Sequence, residues 1–210
     1  MQLVLASSSP RRQELLALLG LSFQVISPNV REHPTSGLSP VEQVTRFALE
    51  KARAVADQQP NALVLGSDTV IELDGQLLGK PADLSDARTM LMRLAGRSHL
   101  VHTAVALCHR DRGTEFVDID TAHVEMKSDL LDLYDRYLVS RESLGKAGAY
   151  AIQGVGGDLV NRVDGDYTTV VGLPMKLVDR LLRSAGYPVS VPVDDLYQRK
   201  PYANWNRFAV

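Results

Sequence analysis

Gly66-Ser67-Asp68-Thr69 sets a carboxylate between two apolar runs, Leu63 to Gly66 and Val70 to Leu73. Such an aspartate can hold a divalent metal through oxygen or take a proton from water. It can equally be a turn residue bonding its own backbone. Ser7-Ser8-Ser9-Pro10-Arg11-Arg12 offers a second kind of chemistry. Small residues ahead of a helix let backbone N–H groups face an anion, and two guanidiniums can grip phosphate oxygens. The plainer alternative is a capped helix with solvated arginines, although two cations at a helix N-terminus oppose the macrodipole and an anion would relieve that.

Other candidates are single residues. Lys51 has Phe47, Ala48 and Val55 three or four residues away, so it falls on or beside an apolar helical stripe, either with its stem on that surface and its ammonium in water or in a site. Lys80, in Gly79-Lys80-Pro81, is another loop cation. Glu32, beside His33-Pro34, is a second possible metal carboxylate or polar loop surface. Gln153 closes Lys146-Ala147-Gly148-Ala149-Tyr150-Ala151-Ile152-Gln153, where an amide among glycines could read a base edge by donating and accepting at once. His99, His102, His109 and His123 lack metal-ligand spacing and read as satisfied or solvated, and Asp118 with Asp120 reads as a solvated strand face. Gly-x-x-x-x-Gly-Lys-Ser/Thr, Gly-x-Ser-x-Gly and paired-cysteine motifs do not occur, which disfavours Walker-type and serine-hydrolase chemistry.

The elements that must position these residues follow from pattern. Gln2 to Ala6 is a strand, and Ser9 with Pro10 starts a helix ending at Gly20. Ser39-Pro40-Val41-Glu42 is a capping box opening a helix to about Asp57. Strands at 63–66 and 70–73 flank Asp68, Asp74-Gly75 turns the chain, and 83–95 is helical. His99 to His109 and Thr114 to Met126 alternate as a hairpin, and Ser128 caps a helix to about Val139. Leu159 to Val163 is a strand, and Gly172-Leu173-Pro174 begins the last helix, stopped by Gly186. Residues 1–190 thus form one domain, and 191–210 a polar tail with scattered aromatics, docked on the surface or frayed.

The composition suits an intracellular globular protein. The 210 residues are 45% hydrophobic, enough for a real core. A net charge of −2 gives no global field to attract nucleic acid or an anionic membrane, so anion binding must be local. The lone Cys108 cannot form an internal disulfide, no signal peptide or bilayer-spanning run is apparent, and the expected location is the cytoplasm.

Taken in order, Ser-Ser-Ser-Pro-Arg-Arg, Glu-Lys-Ala-Arg (50–53), Gly-Ser-Asp-Thr-Val (66–70), Gly-Lys-Pro (79–81), Lys-Ala-Gly-Ala-Tyr-Ala-Ile-Gln-Gly (146–154) and Val-Val-Gly-Leu-Pro (170–174) closely resemble the Maf family of nucleoside triphosphate pyrophosphatases. The resemblance implies an α/β fold like that of inosine triphosphate pyrophosphatases, with an elongated mixed sheet flanked by helices and a cleft between two lobes. It also implies a divalent cation, Mg²⁺ or Mn²⁺, and a homodimer. Asp68 matches the family's proton acceptor, and Arg11, Thr69 and Gln153 match positions that track substrate choice, with identities resembling the dTTP/UTP branch. Arg31 stands where an acidic residue is usual, and Ala104 where glycine is usual.

The expected reaction is water attack at the α-phosphate of dTTP, UTP or a modified pyrimidine nucleotide, giving monophosphate and pyrophosphate. Asp68 and Glu32 would hold the metal, and Ser7, Ser9, Arg11, Arg12, Lys51 and Lys80 the phosphates. Two rivals use the same parts. A sugar nucleotidyltransferase also pairs a strand, a small-residue loop and an arginine, and a nucleotide-binding regulator of cell division would bind without cleaving.

Overall fold

A parallel start and an antiparallel continuation meet on one long strand. In the computed structural model, which describes residues 1–128 and 131–208, β1 (Gln2–Ala6) lies between β2 (Phe23–Val25) and β3 (Ala62–Leu73), parallel to both. On its other side β3 pairs antiparallel with β5 (Ser98–His109), then come β6 (Thr114–Met126) and β7 (Val160–Asp164), while the short β4 (Gln76–Leu78) folds back on β3. The result is one mixed sheet of seven strands, ordered β2-β1-β3-β5-β6-β7 with β4 off that path. The resemblance implied such a sheet.

Period-two alternation sends the side chains of these strands to two cores. Leu3, Leu5, Leu65, Ile71, Val105 and Leu107 face one way, against Leu15 and Leu16 of α1 (Pro10–Ala17), Leu91 and Leu94 of α3 (Leu84–Leu94), and Leu177 to Leu182 of α6 (Met175–Ser184). Val4, Ala6, Val64, Ala104 and Ala106 face the other, where α2 (Pro40–Ala56) presents Val44, Ala48, Ala52 and Val55. The capping box at Ser39 and Glu42 starts α2 as expected, with both reciprocal bonds made. No helix is long and apolar enough to cross a membrane among the described residues.

Four expectations change. The two strands drawn around Asp68 are one unbroken β3, so Asp68 is a mid-strand residue paired with Ala104 rather than a turn. Ser9 occupies the cap position of α1, but its side chain makes no capping bond; its N–H instead meets the Ser7 hydroxyl at 3.2 Å. A short helix, α5 (Tyr167–Val171), precedes the left-handed Gly172 and was not expected from its run of Thr and Val. The expected helix from Ser128 is α4 (Leu131–Val139), and Asp129 and Leu130 lie outside the described residues.

The tail is docked. It forms α7 (Val193–Arg199) and α8 (Trp205–Phe208), with Leu196, Trp205 and Phe208 buried and Trp205 stacked on Tyr167 at 5.4 Å between ring centroids. Ala209 and Val210 lie outside the described residues.

Gly66 sets how close α2 comes to the sheet. A Cβ there would fall 2.5 Å from the Ala48 carbonyl oxygen and 2.7 Å from the Ala52 nitrogen, both rigid backbone. Gly66→Ala is therefore expected to push α2 outward and cost about 3 kcal/mol, the upper end of ordinary overpacking. Urea unfolding measures it. A loss below about 0.5 kcal/mol, the range of neutral surface changes, would mean that the close approach is not required.

A pH-sensitive contact joins β5 to Tyr150. His99 is buried in β5, with its Nε2 2.8 Å from the Tyr150 hydroxyl and its Nδ1 without a partner among the described residues. Burial lowers its pKa from 6.5 to about 4. The unfolded chain then binds the proton more tightly, so the stability held by neutral His99 is complete above pH 6.5 and lost as pH falls towards 4. Over that window the difference in stability between the native chain and His99→Gln should change by roughly 3 kcal/mol. Thermal melts of the pair between pH 4 and pH 7 read it, and parallel curves would contradict it.

Candidate functional site

β3 changes neighbours part-way along one edge. Its last pair with β1 is Gly66 with Ala6, and its first with β4 is Ile71 with Leu78. Residues 67–70 between them keep only β5 as a strand partner. The gap leaves both faces of the strand reachable from one side, and a cleft of about 420 Å³ opens there, within the usual range for small-molecule sites. Its walls bring together residues that are far apart in sequence: Ser7, Ser9, Arg11, Arg12, Glu32, Lys51, Asp68, Thr69, Lys80 and Gln153 all line it. These are all the residues singled out from the sequence as site candidates.

On the α2 side, the close approach at Gly66 carries Lys51 to Asp68. The Lys51 Nζ lies 2.5 Å from Asp68 Oδ1 and 2.6 Å from Glu32 Oε1, and Lys80 holds the other Glu32 oxygen at 3.0 Å. Lys51 and Asp68 are buried, so this lysine does not snorkel to water. One ammonium thus organises two carboxylates, with one N–H left over. Burial pushes the Asp68 carboxyl up from its ordinary value, against the opposing pull of Lys51 and Arg12. Burial would also raise Glu32, but Lys51 and Lys80 outweigh it and hold that carboxyl at about 2. Arg31, the departure beside it, does not keep Glu32 from the cluster.

On the opposite face a chain of hydroxyls fixes Thr69. The Arg12 Nη2 donates to Thr69 Oγ1 at 3.0 Å and its Nε to the Gly172 carbonyl at 2.8 Å, which also accepts from Ser67 Oγ. Thr103 gives its proton to the Thr169 carbonyl at 2.8 Å, so the 3.0 Å contact between Thr69 and Thr103 must carry the proton of Thr69. Thr69 therefore has a lone pair, and no donor, to offer a ligand. Asp120 anchors the far end by accepting from Thr169 Oγ1, and Asp118 pairs with Arg180 at 2.9 Å. Asp120, expected on a solvated face, is thus a structural partner directly behind the site, while Asp118 with its exposed partner Arg180 lies on a solvated face as expected.

The cations of the cleft lack enough anions. Burial lowers the pKa of Arg11, and of Arg12, whose neighbour Arg11 lowers it further. Lys146, on the loop that carries Gln153, is lowered by burial and by Arg11 as well. Three positive groups crowded in this way would each gain from a polyanion. Lys146, Thr103 and Asp120 were missed as site residues. Lys146 opens the glycine-containing segment 146–154 that ends beside Gln153, and the other two carry no local signal, because their roles depend on cross-strand register.

The donor set suits a hard divalent cation. Two carboxylates converge on one point of the cleft, and Mg²⁺ is commonly held by one or two carboxylates with phosphate oxygens and water completing its shell. Among the described residues no group of three or more His, Cys, Asp or Glu could hold a metal unaided, so substrate oxygens would have to supply the remainder.

Comparison with known proteins agrees with this geometry. The chain is 47% identical over 188 residues to the dTTP/UTP pyrophosphatase of Symbiobacterium thermophilum, covering 90% of this chain and 96% of that one. It is 46% identical over 187 residues to the dTTP/UTP pyrophosphatase of Myxococcus xanthus, covering 89% and 94%. Among solved structures, a HAM1 protein from Coxiella burnetii shares the fold with a TM-score of 0.52 at 18% identity, over 88% of this chain and 99% of that one. The family described as Maf-like protein matches residues 2–185, and the chain belongs to that family.

Proposed function

We propose that this chain hydrolyses nucleoside triphosphates, dTTP and UTP foremost, to the monophosphate and pyrophosphate. The observation that carries the reading is the Lys51 ammonium bridging Asp68 and Glu32 at the open edge of β3, beside a loop with unpaired cationic capacity. The names of its relatives supply the substrate class.

Asp68 takes a proton from a water as that water's oxygen bonds to the α-phosphorus. The bond from that phosphorus to the bridging oxygen breaks, and pyrophosphate leaves. A raised carboxyl pKa makes Asp68 a stronger base than an ordinary aspartate. Arg11, Arg12, Lys80 and the spare N–H of Lys51 offset charge on the β- and γ-phosphates and on the departing pyrophosphate. Ser7 and Ser9 shape the loop around those oxygens. Glu32 and Asp68 would hold a divalent cation that neutralises phosphate charge and polarises the α-phosphate.

Base choice falls to Thr69 and Gln153. With its proton committed to Thr103, Thr69 can only accept, which matches the imide N–H of uracil and thymine and mismatches the bare ring nitrogen of cytosine. The Gln153 amide both donates and accepts. The reading includes the homodimer implied by the family resemblance, which sedimentation would show as twice the chain mass.

The test is to incubate the purified chain with Mg²⁺ and dTTP, UTP, CTP or GTP in ¹⁸O-labelled water. Pyrophosphate release with the label in the monophosphate is the expected result. Label in released orthophosphate, or no cleavage of dTTP and UTP, would overturn it.

A further inference from the structure

Gln153 sits on a loop between two short 3₁₀ turns, Ala147–Ala149 and Val155–Leu159, with no strand to hold it. A side chain that reads a base from such a loop is only as selective as the loop is fixed. The fixing comes from the docked tail. The Asn204 Nδ2 lies 2.7, 3.3 and 3.0 Å from the carbonyl oxygens of Ile152, Gln153 and Gly154, so its two N–H groups are shared among three acceptors. The fit is close on the far side too, because a Cβ on Gly157 would fall 2.3 Å from that nitrogen. Arg207 ties the same segment to Asp158 at 2.8 Å. Trp205, stacked between Tyr167 and Tyr202 and edge-on to Tyr197, anchors the whole segment in the core.

These residues lie beyond the stretch 2–185 matched by the family. We propose that residues 202–207 form a clasp that holds the Gln153 loop in register for base recognition, with Asn204 as its principal positioning residue. The clasp rests on the reading above that Gln153 contacts the base. It acts on substrate choice and binding rather than on bond cleavage, since Asp68 and Lys51 sit on elements that the tail does not hold.

The experiment measures kcat and KM for UTP and CTP, which differ only at the base edge, on the native chain, Asn204→Ala, Asn204→Asp and Gln153→Ala, each checked by thermal melting. Asn204→Asp keeps the shape and replaces the donors by a carboxylate. Losing the shared bonds, at about one ordinary hydrogen bond net, should raise KM for UTP about tenfold. The UTP over CTP ratio of kcat/KM should narrow by a similar factor in both Asn204 variants, with kcat for UTP kept within about threefold. If Gln153→Ala narrows the ratio and neither Asn204 variant does, the clasp is overturned and the base reading stands. If Gln153→Ala leaves the ratio unchanged, both fall. A uniform loss of kcat on both nucleotides with the ratio intact would make Asn204 a plain stability residue and also overturn the proposal.

Discussion

Asp68→Asn is expected to lower kcat/KM for UTP by about a thousandfold while the fold and nucleotide binding survive. The amide keeps the volume of the carboxylate and one oxygen that can still accept from the Lys51 ammonium, whose 2.5 Å contact is the local anchor. What disappears is the charge and the capacity to take a proton, which for a positioned base is worth about 10² to 10⁴ in rate. The effect on the melting temperature should be small, because the buried Lys51 ammonium keeps Glu32 at 2.6 Å as its counter-ion. Pyrophosphate release under saturating and subsaturating UTP separates kcat from KM. A variant with near-native kcat would remove Asp68 from the chemistry. It would leave Glu32 as the alternative base, the other carboxylate on the same ammonium.

The sequence made the helices that carry local signals plain and hid what depends on distant partners. Ser39, Pro40 and Glu42 fix the start of α2 with atoms three residues apart, so the pattern could be read directly. Asp74-Gly75 marked the β3 to β4 hairpin because both residues adopt positive φ, which few other pairs tolerate. The middle of β3 gave no such signal. Ser67, Asp68 and Thr69 interrupt an apolar strand, and polar triplets ordinarily mean a loop. Here each finds its partner elsewhere: Ser67 at Gly172, Asp68 at Lys51, Thr69 at Arg12 and Thr103. Those partners are 17 to 105 residues away, beyond any window of local periodicity. α5 was missed for a related reason. Thr168 to Val171 is β-branched and favours strand by propensity, but Asp166 caps the segment and Gly172 closes it, and together they outweigh a preference of a few tenths of a kcal/mol per residue.

The site residues were legible only as an ordered set. Nothing local distinguishes Lys51 from the surface lysine that its helical stripe first suggests. Its burial comes from Gly66, which lets α2 approach until the ammonium meets two carboxylates. Asp120 is the converse case, an aspartate that alternation places on a strand face and that register turns towards Thr169. The gap in β3 pairing between Gly66 and Ile71 is a property of three strands at once, and no single segment carries it.

Lys51→Met should lower stability about as much as Gly66→Ala, together with loss of activity. Methionine keeps an unbranched stem of similar volume on the buried side of α2, where Phe47, Ala48 and Val55 are also buried, so the change isolates the charge. Removing it leaves Asp68 buried and Glu32 half-covered without their shared cation, and breaking a buried pair in this way costs about 3 kcal/mol. In a chain of 210 residues that corresponds to a fall of roughly 10 °C in melting temperature. The pH dependence identifies the cause. In the native chain Glu32 is held at about 2, against 4.5 ordinarily, so its contribution is present above pH 4.5 and lost as pH falls towards 2. Without Lys51 the folded-state values of both carboxylates rise, and protonation then relieves the variant as the solution becomes acid. The stability deficit relative to the native chain, measured by urea unfolding with EDTA present, should be greatest near pH 7 and shrink below about pH 5. A deficit that stays constant from pH 7 to pH 4 would trace the loss to packing, and Lys51 would then be a filler of the α2 interface rather than the cation that holds two carboxylates ready for a metal and a triphosphate.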